Sequence, residues 1–451
     1  MPHMRVPTAR ATPAPRGAHD GHELCSPTGP LMHGIGETLH ECRDCGLLQR
    51  LGSPPPGAVL VCGRCGARLR KRQDGTRLLA MTCACLGLAL FALASTLPLS
   101  TVVMKGGRFA ASDLFTGPRL FLETGWWELA IAVIATLVVL PLVKFTTFVA
   151  LLVADSLGYV PHWLRRAFAA VPGLAGWGMI EVFMLGAMIA LVRLEGWMRV
   201  EYGPALFALG AAALCSLALD RSIDGPALWS RIAAPSIKHT STRAISCLGC
   251  GLVSWSRERE RCPRCTAVLD RRKPDSIRRG WALVIAAMLL AVPANILPIM
   301  SVSKLGEGGP KTIVGGTIEL VQRGYWPLAI IVFLASVLVP FLKLGALSAL
   351  LVTTQRSSRW RLKFRTRLFR AVATIGRWSM VDIFAMTMLV TSARFSWVGS
   401  VLPGPAASAF CGVVLLTMVA SESFDPRLMW DAAGQNGTDG ATPARIGERR
   451  G

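Results

Sequence analysis

Long apolar runs alternate with short polar intervals from about residue 78 to residue 420. The runs 78–99, 127–153, 177–192 and 204–219 form one set, and 281–300, 326–352, 380–393 and 401–420 form a second. An apolar run of about 20 residues matches the hydrocarbon thickness of a bilayer. The pattern therefore predicts eight membrane-spanning helices in two sets of four. Ahead of each set lies a polar, cysteine-bearing segment. Residues 1–38 are rich in Pro, Gly and Ala without periodicity and read as a disordered tail. Residues 422–451 read as a polar tail, and the polar start ahead of Leu78 predicts no cleavable signal peptide.

The two sets are copies of one unit. Cys62 and Cys65 match Cys262 and Cys265 at an offset of 200, and Leu97-Pro98 matches Leu297-Pro298 at the same offset. Trp127, Pro141 and Lys144 match Trp326, Pro340 and Lys343 at 199, and Trp177, Glu181 and Phe183 match Trp378, Asp382 and Phe384 at 201. The organisation this predicts is a first ribbon at 39–72, a membrane domain at 78–220, a second ribbon at 244–273 and a second membrane domain at 280–421. Four spans per half is an even number, so the halves have the same orientation and form a parallel repeat. Pro98, Pro298, Pro141 and Pro340 are expected to bend or end their helices.

Composition agrees. Of 451 residues, 52% are hydrophobic and 17% charged, and the mean hydropathy is +0.45. That excludes an ordinary soluble domain. The net charge of +22 would suggest nucleic acid in a soluble chain. Here the excess lies beside the spans, so no nucleic-acid partner is predicted. The loop 354–377 carries eight basic residues from Arg356 to Arg377, whereas 301–325 carries three. Basic loops face the cytoplasm, which predicts cytoplasmic ribbons and cytoplasmic termini. Within that loop, Trp360, Leu362 and Phe364 alternate with arginines, as in an interfacial amphipathic helix or a solvated topogenic loop.

Eight of thirteen cysteines form four CxxC pairs: Cys42 with Cys45, Cys62 with Cys65, Cys247 with Cys250, and Cys262 with Cys265. Each CxxC turns tightly and brings two thiolates together, so two of them complete a tetrahedron. This predicts two Zn2+ ribbons, one per half, each too small to fold on an apolar core. Rubredoxin-like iron and a thiol redox pair are the alternatives.

Charged residues also fall inside the apolar runs. Lys144 and Glu181 in the first half match Lys343 and Asp382 in the second. An intramembrane ionisable group normally faces a protein interior or water and has a partner. Ser336, Ser379 and Thr417 add hydroxyls in the second half, where Gly178 of the first replaces Ser379. The set Lys343, Asp382, Ser336, Ser379 and Thr417 is the predicted transport or proton network, with Lys144 and Glu181 as its poorer counterpart. A structural ion pair, or lysines reaching to the interface, is the alternative.

The doubled CxxC ribbons, the Leu-Pro ends, the Pro-x-x-Lys helices and the Trp-x-Met-x-(Asp/Glu)-(Val/Ile)-Phe blocks resemble the paraquat-inducible protein A family over roughly 40–422. The resemblance implies an all-α polytopic protein of the bacterial inner membrane, not an enzyme. It also implies a periplasmic MCE-type tunnel partner, and membrane lipids as cargo moved between the inner and outer membranes. No nucleotide-binding loop or hydrolase triad is present in the sequence. The rival is a non-transporting scaffold or zinc-dependent sensor. Transport predicts a lipid-sized cavity near Lys343, and a scaffold predicts tight packing there.

Overall fold

The structure, a computed structural model, describes residues 38–52, 58–71, 76–103, 109–174, 176–195, 199–223, 225–233, 241, 244–304, 307–322, 324–393, 399–435, 442–443 and 445–447. Of the segment 1–38, expected to be disordered, all but Thr38 lies outside these residues.

The first half contains α1 (Arg77–Thr96), α2 (Trp127–Ser156), α3 (Ile180–Glu195) and α4 (Pro204–Ser222). The second contains α5 (Ser276–Ile296), α6 (326–355), α7 (Val381–Ala393) and α8 (Pro405–Ser423). Among the described residues, seven helices are long and apolar enough to cross a membrane. The eighth predicted span, α3, is the exception, with an apolar stretch of only Ile180–Leu191. Its partner α7 reaches spanning length by fusing with the turn Gly376–Met380 and the helix Leu362–Ile375. In hydrocarbon every backbone group must be satisfied within the chain, which is why the spans are helical.

Local chemistry sets the helix ends. Thr76 caps α1, accepting from the Leu79 amide at 3.2 Å. Helices α1 and α5 stop just before Leu97-Pro98 and Leu297-Pro298. Helices α4 and α8 begin at Gly203-Pro204 and Gly404-Pro405, each with proline in its first turn. A Cβ on Gly203 or Gly404 would collide with the carbonyl of Pro98 or Pro298. The glycines therefore let the last helix of each half seat against the first, with hydrogen bonds of 3.0 Å to Leu99 and 2.8 Å to Ile299.

Pro141 and Pro340 do not end their helices. A π-helical turn precedes each, at Ile134–Val139 and Leu334–Leu338. The wider turn absorbs the missing proline N–H, and the helix continues.

In each half the first and last helices pack along one another, α1 on α4 and α5 on α8. The halves meet through α3 and α7. There Phe183 and Phe384, equivalent positions of the repeat, stack edge to face at 5.5 Å. Gly186 lies at the same contact, and a Cβ on it would come within 2.9 Å of Val381 O and Phe384 Cβ.

The expectation of an all-α membrane part needs one correction. Each half carries a three-stranded antiparallel sheet at the end remote from the ribbons. In the first half β5 (Ser100–Val103) pairs with both β6 (Phe109–Ser112) and β7 (Arg199–Tyr202). In the second, β8 (Met300–Lys304) pairs with β9 (Glu307–Lys311) and β10 (Gly399–Pro403). The Leu-Pro end of the first helix sets the chain into extended backbone beside the strand that enters the last helix, so the two pair. That pairing joins segments 98 residues apart, Val102 with Val200, and is invisible to local periodicity.

Candidate functional site

In the first ribbon, β1 (Thr38–Glu41) and β2 (Leu48–Leu51) flank one knuckle, and β3 (Val59–Val61) and β4 (Arg68–Lys71) flank the other. Gly46 and Gly66 close the knuckles at φ +71° and +70°, a backbone region that glycine enters freely. In the second ribbon Gly251 does the same at φ +73°, but Thr266 stands at φ +60°.

All eight predicted cysteines come together as two groups of four, with sulfurs within 4.8 Å of one another. Close Sγ–Sγ pairs lie at 3.6 Å (Cys42–Cys65), 3.5 Å (Cys45–Cys62), 3.5 Å (Cys247–Cys265) and 3.6 Å (Cys250–Cys262). A metal with ~2.3 Å bonds to four thiolates spans a tetrahedron with edges of roughly 3.8 Å, whereas a disulfide would need ~2.05 Å. The clusters are thus shaped for a metal ion. Hydrogen bonds from neighbouring thiols hold Cys62 and Cys247 well below the ordinary thiol range and push Cys42 and Cys250 above it. Gln49, fully buried, donates to Cys62 Sγ at 3.0 Å and accepts from the Gly63 amide at 3.3 Å.

The ribbons dock crosswise. Ribbon 1, which precedes the first membrane half, packs on the second: Arg370 of the helix Leu362–Ile375 pairs with Asp44 at 2.6 Å and donates to Cys65 Sγ at 3.3 Å. Arg64 lies 4.6 Å over the Trp430 ring. Ribbon 2 packs on first-half elements. Gly249 lies against Ala169, and Arg264 sits 6.0 Å from the Trp229 ring. A charge cluster binds both ribbons to the chain after α8. Arg272 reaches Asp431 at 2.6 Å and Glu41 at 3.1 Å, while Arg427 reaches Glu41 at 3.2 Å and Asp425 at 2.9 Å. Burial would raise the Asp425 carboxyl, but Arg427 and two backbone amides hold it below the usual range.

Inside the membrane region the predicted residues fall into two hydrogen-bonded pairs. The Lys343 ammonium, 2% exposed, donates to Thr417 Oγ1 at 2.8 Å. Ser336 donates to Asp382 Oδ2 at 2.5 Å, within the range of a charge-assisted bond. Ser379 is buried, and its hydroxyl has no hydrogen-bond partner among the described residues. Lys343 is packed against the turn at Gly376, 3.4 Å from the place a Cβ would occupy. The space beside Ser336 is about 10 Å3, at the lower limit for a single water. Lys343 and Ser336 are thus both buried, at 2% and 5% exposure.

In the first half the corresponding lysine lines a larger space. Lys144 donates to Ser216 at 2.9 Å and to Asp220 at 2.8 Å, so the pairing with Glu181 suggested by the sequence is not the one the ammonium makes. Glu181 instead lines a cavity of about 210 Å3, shared with Lys144, Ser216, Asp220 and Arg377. Sequence reading missed Ser216, Asp220 and Arg377. The repeat held the signal for two of them: at the 201 offset, Ser216 stands opposite Thr417 and Asp220 opposite Ser421.

A chain of two matched halves, each with a four-cysteine knuckle module and a set of apolar helices holding a lysine–hydroxyl pair, with seven helices long enough to cross a membrane among the described residues, is a duplicated multi-pass membrane protein with two metal-binding modules. Its family is also defined: the chain belongs to the paraquat-inducible protein A family, whose profile matches residues 76–233 and 277–434, once per half. It is 30% identical over 410 residues to the Escherichia coli (strain K12) lipophilic envelope-spanning tunnel protein A, covering 89% of this chain and 94% of that one. It is 29% identical over 399 residues to the intermembrane transport protein PqiA of the same organism, covering 86% and 95%. A probable intermembrane transport protein of Haemophilus influenzae is 25% identical over 388 residues, covering 82% and 90%. No solved structure matches the chain.

Proposed function

We propose that this protein is the inner-membrane component of a lipid transport system linking the inner and outer membranes, which loads or unloads lipids for a periplasmic MCE-type tunnel partner. The ribbons and termini lie in the cytoplasm, where thiols stay reduced and hold zinc. The two remote sheets then face the periplasm and the partner. The relatives' names support intermembrane transport. The placement of the basic loop beside the ribbons supports the orientation.

The observation that carries the reading is the Lys343–Thr417 and Ser336–Asp382 pairs within apolar helices. An ammonium kept in such a place, at a cost of several kcal/mol, implies a task beyond anchoring. A proton reaching Asp382 would release Ser336 and change the packing of α6 on α7. That gives a means to couple lipid movement to protons. The test is lipid transfer between vesicles reconstituted with the partner, together with survival of envelope stress in cells, for Lys343→Ala and Asp382→Asn. Both variants are expected to lose most transfer at normal protein levels. Wild-type behaviour in both assays removes the network from the mechanism.

The burial of Lys343 against the turn at Gly376 favours the second reading, a scaffold that anchors the periplasmic complex. On that reading the same variants lose assembly with the partner rather than transfer by an intact assembly.

A further inference from the structure

In each half a turn on the ribbon side follows the lysine-bearing helix, and the two turns differ in charge. The first-half turn exposes Leu157, Tyr159 and Trp163, with Arg166 as the exposed arginine beside them. The second-half turn also exposes aromatics, Trp360 at 63% and Phe364 at 54%. It surrounds them with the exposed cations Arg356, Arg359, Arg361, Lys363 and Arg367. The stretch 355–377 contains no Asp or Glu. Among the described residues, Arg370 is the one member of that stretch paired with a carboxylate, Asp44 of ribbon 1. The turn is held in place. Arg365, 4% exposed, donates to Ser358 O at 2.9 Å and to Thr354 Oγ1 at 3.2 Å, which ties the turn to the helices on both sides. Arg361 lies 5.0 Å from the centre of the Trp360 ring, so ring and cation stand side by side.

We infer that the turn 356–367 is a docking surface for anionic phospholipids of the leaflet on the ribbon side, held as resident boundary lipid and not carried as cargo. Charge complementarity names the occupant. Five exposed cations without a nearby carboxylate fit the phosphodiester groups of an anionic surface, each adding roughly fivefold to the attraction. Arginine is suited to phosphate oxygens. The aromatics separate this reading from a solvated basic loop. Water accommodates the cations but gives Trp360 and Phe364 nothing to pack on. At a membrane interface, rings enter the acyl boundary while neighbouring cations stay among headgroups.

Depth agrees. The helical segment Leu362–Ser392 has 31 residues and at about 1.5 Å per residue is roughly 46 Å long. The hydrocarbon core takes ~30 Å of that, and headgroups on both sides bring the bilayer to ~40–45 Å. The first turns of the segment therefore stand in the headgroup layer, at the end where Arg370 meets ribbon 1. The first-half turn offers aromatics to any lipid, whereas the second adds a choice of charge. Anionic lipid is thus gathered on one side of the molecule, beside the helix that carries ribbon 1.

The experiment uses the full-length protein in neutral detergent. Phosphatidylglycerol or phosphatidylcholine is added as mixed micelles, and unfolding is followed by far-UV circular dichroism. Phosphatidylglycerol is expected to raise the melting temperature at least about 3 °C above phosphatidylcholine, as a ligand of the folded state does. In 1 M NaCl, where charges are screened beyond ~3 Å, most of that increment should vanish. The combined variant Arg359→Gln, Arg361→Gln, Lys363→Gln and Arg367→Gln is expected to melt as wild type in phosphatidylcholine and to lose the increment. Arg166→Gln, in the first-half turn, should keep it. Trp360→Ser with Phe364→Ser leaves every cation in place and should still cut the increment by half or more. An increment that survives the four glutamines places the anionic lipid elsewhere and ends the proposal. A full increment without the aromatics would show solvated cations with no hold on the interface, and overturns it as well. Inorganic phosphate or a short DNA duplex that gives the same increment without lipid would assign the turn to a soluble anion instead. Lipid transfer is read in a separate assay, so the transport reading and this surface can fail independently.

Discussion

At the scale of single residues, the contrast between the four knuckle-closing positions is the most direct. Three are glycines, while Thr266 takes φ +60° with a β-branched side chain, a conformation that costs an ordinary L-residue about 1–2 kcal/mol. Its amide still makes the knuckle bond to Cys262 O at 2.9 Å, so the turn is held by the sulfur cage against local preference. Thr266→Gly is expected to relieve about 1 kcal/mol. Ribbon 2 should then lose its metal at a higher temperature in a melt followed with a colorimetric chelator. An unchanged melt would show that the threonine turn carries no strain. The buried Lys–hydroxyl pairs belong to the same scale. The lysines and their offset are plain in the sequence, but their partners are not. A lysine in an apolar run announces that a partner exists, and only the packing of α4 against α2 selects Ser216 and Asp220 over the equally plausible Glu181.

At the scale of elements, two glycines inside apolar helices have opposite meanings. A side chain at Gly186 would push into Val381 O and Phe384 Cβ, each 2.9 Å from its Cβ position, where α3 meets α7. Gly345 in α6 has nothing within 4 Å. Gly186→Leu is expected to destabilise the contact between halves by about 3 kcal/mol or more, because overpacking forces the helices apart. Gly345→Ala should stabilise by up to ~1 kcal/mol through helix propensity. Thermal unfolding in detergent, monitored by far-UV circular dichroism, reads both, and similar shifts for the two would refute the assignment of α3–α7 as the tight contact. The π-helical turns before Pro141 and Pro340 are elements that the sequence marked only as breaks. Proline declares a missing donor, but whether the helix ends or widens depends on neighbours able to hold its far side.

At the scale of the whole molecule, the crossed docking of the ribbons is the main finding. Arg370 joins ribbon 1 to the helix Leu362–Ile375 of the opposite half through Asp44 and the Cys65 sulfur of the four-cysteine cluster. Groups that hydrogen-bond a metal ligand typically change affinity 10–100-fold when removed. Arg370→Ala is therefore expected to speed chelator-driven metal loss from one of two sites at least tenfold and leave the other unchanged. Biphasic release against a monophasic wild type is the readout, and equal acceleration of both sites would rule out a local role. The same helix runs through Gly376, against which Lys343 packs, and Arg377, which lines the first-half cavity. Ribbon 1 and both polar regions thus touch one continuous helical segment, Leu362–Ser392.

Much of this architecture is written in the order of residues. The apolar runs, the four CxxC pairs and the offsets near 200 specify the spans, the two metal-binding knuckles and the duplication, because each depends on spacing along the chain. Other features were decided only when the chain folded. They are the strand pairing of 100–103 with 199–202, the exchange of ribbons between halves, and the cavity that Lys144, Glu181 and Asp220 line together. The physical reason is that these depend on which side chains fill the space between distant helices. Ser336 bonds Asp382 in the second half, whereas the matching position of the first half, Leu137, has no hydroxyl to offer Glu181.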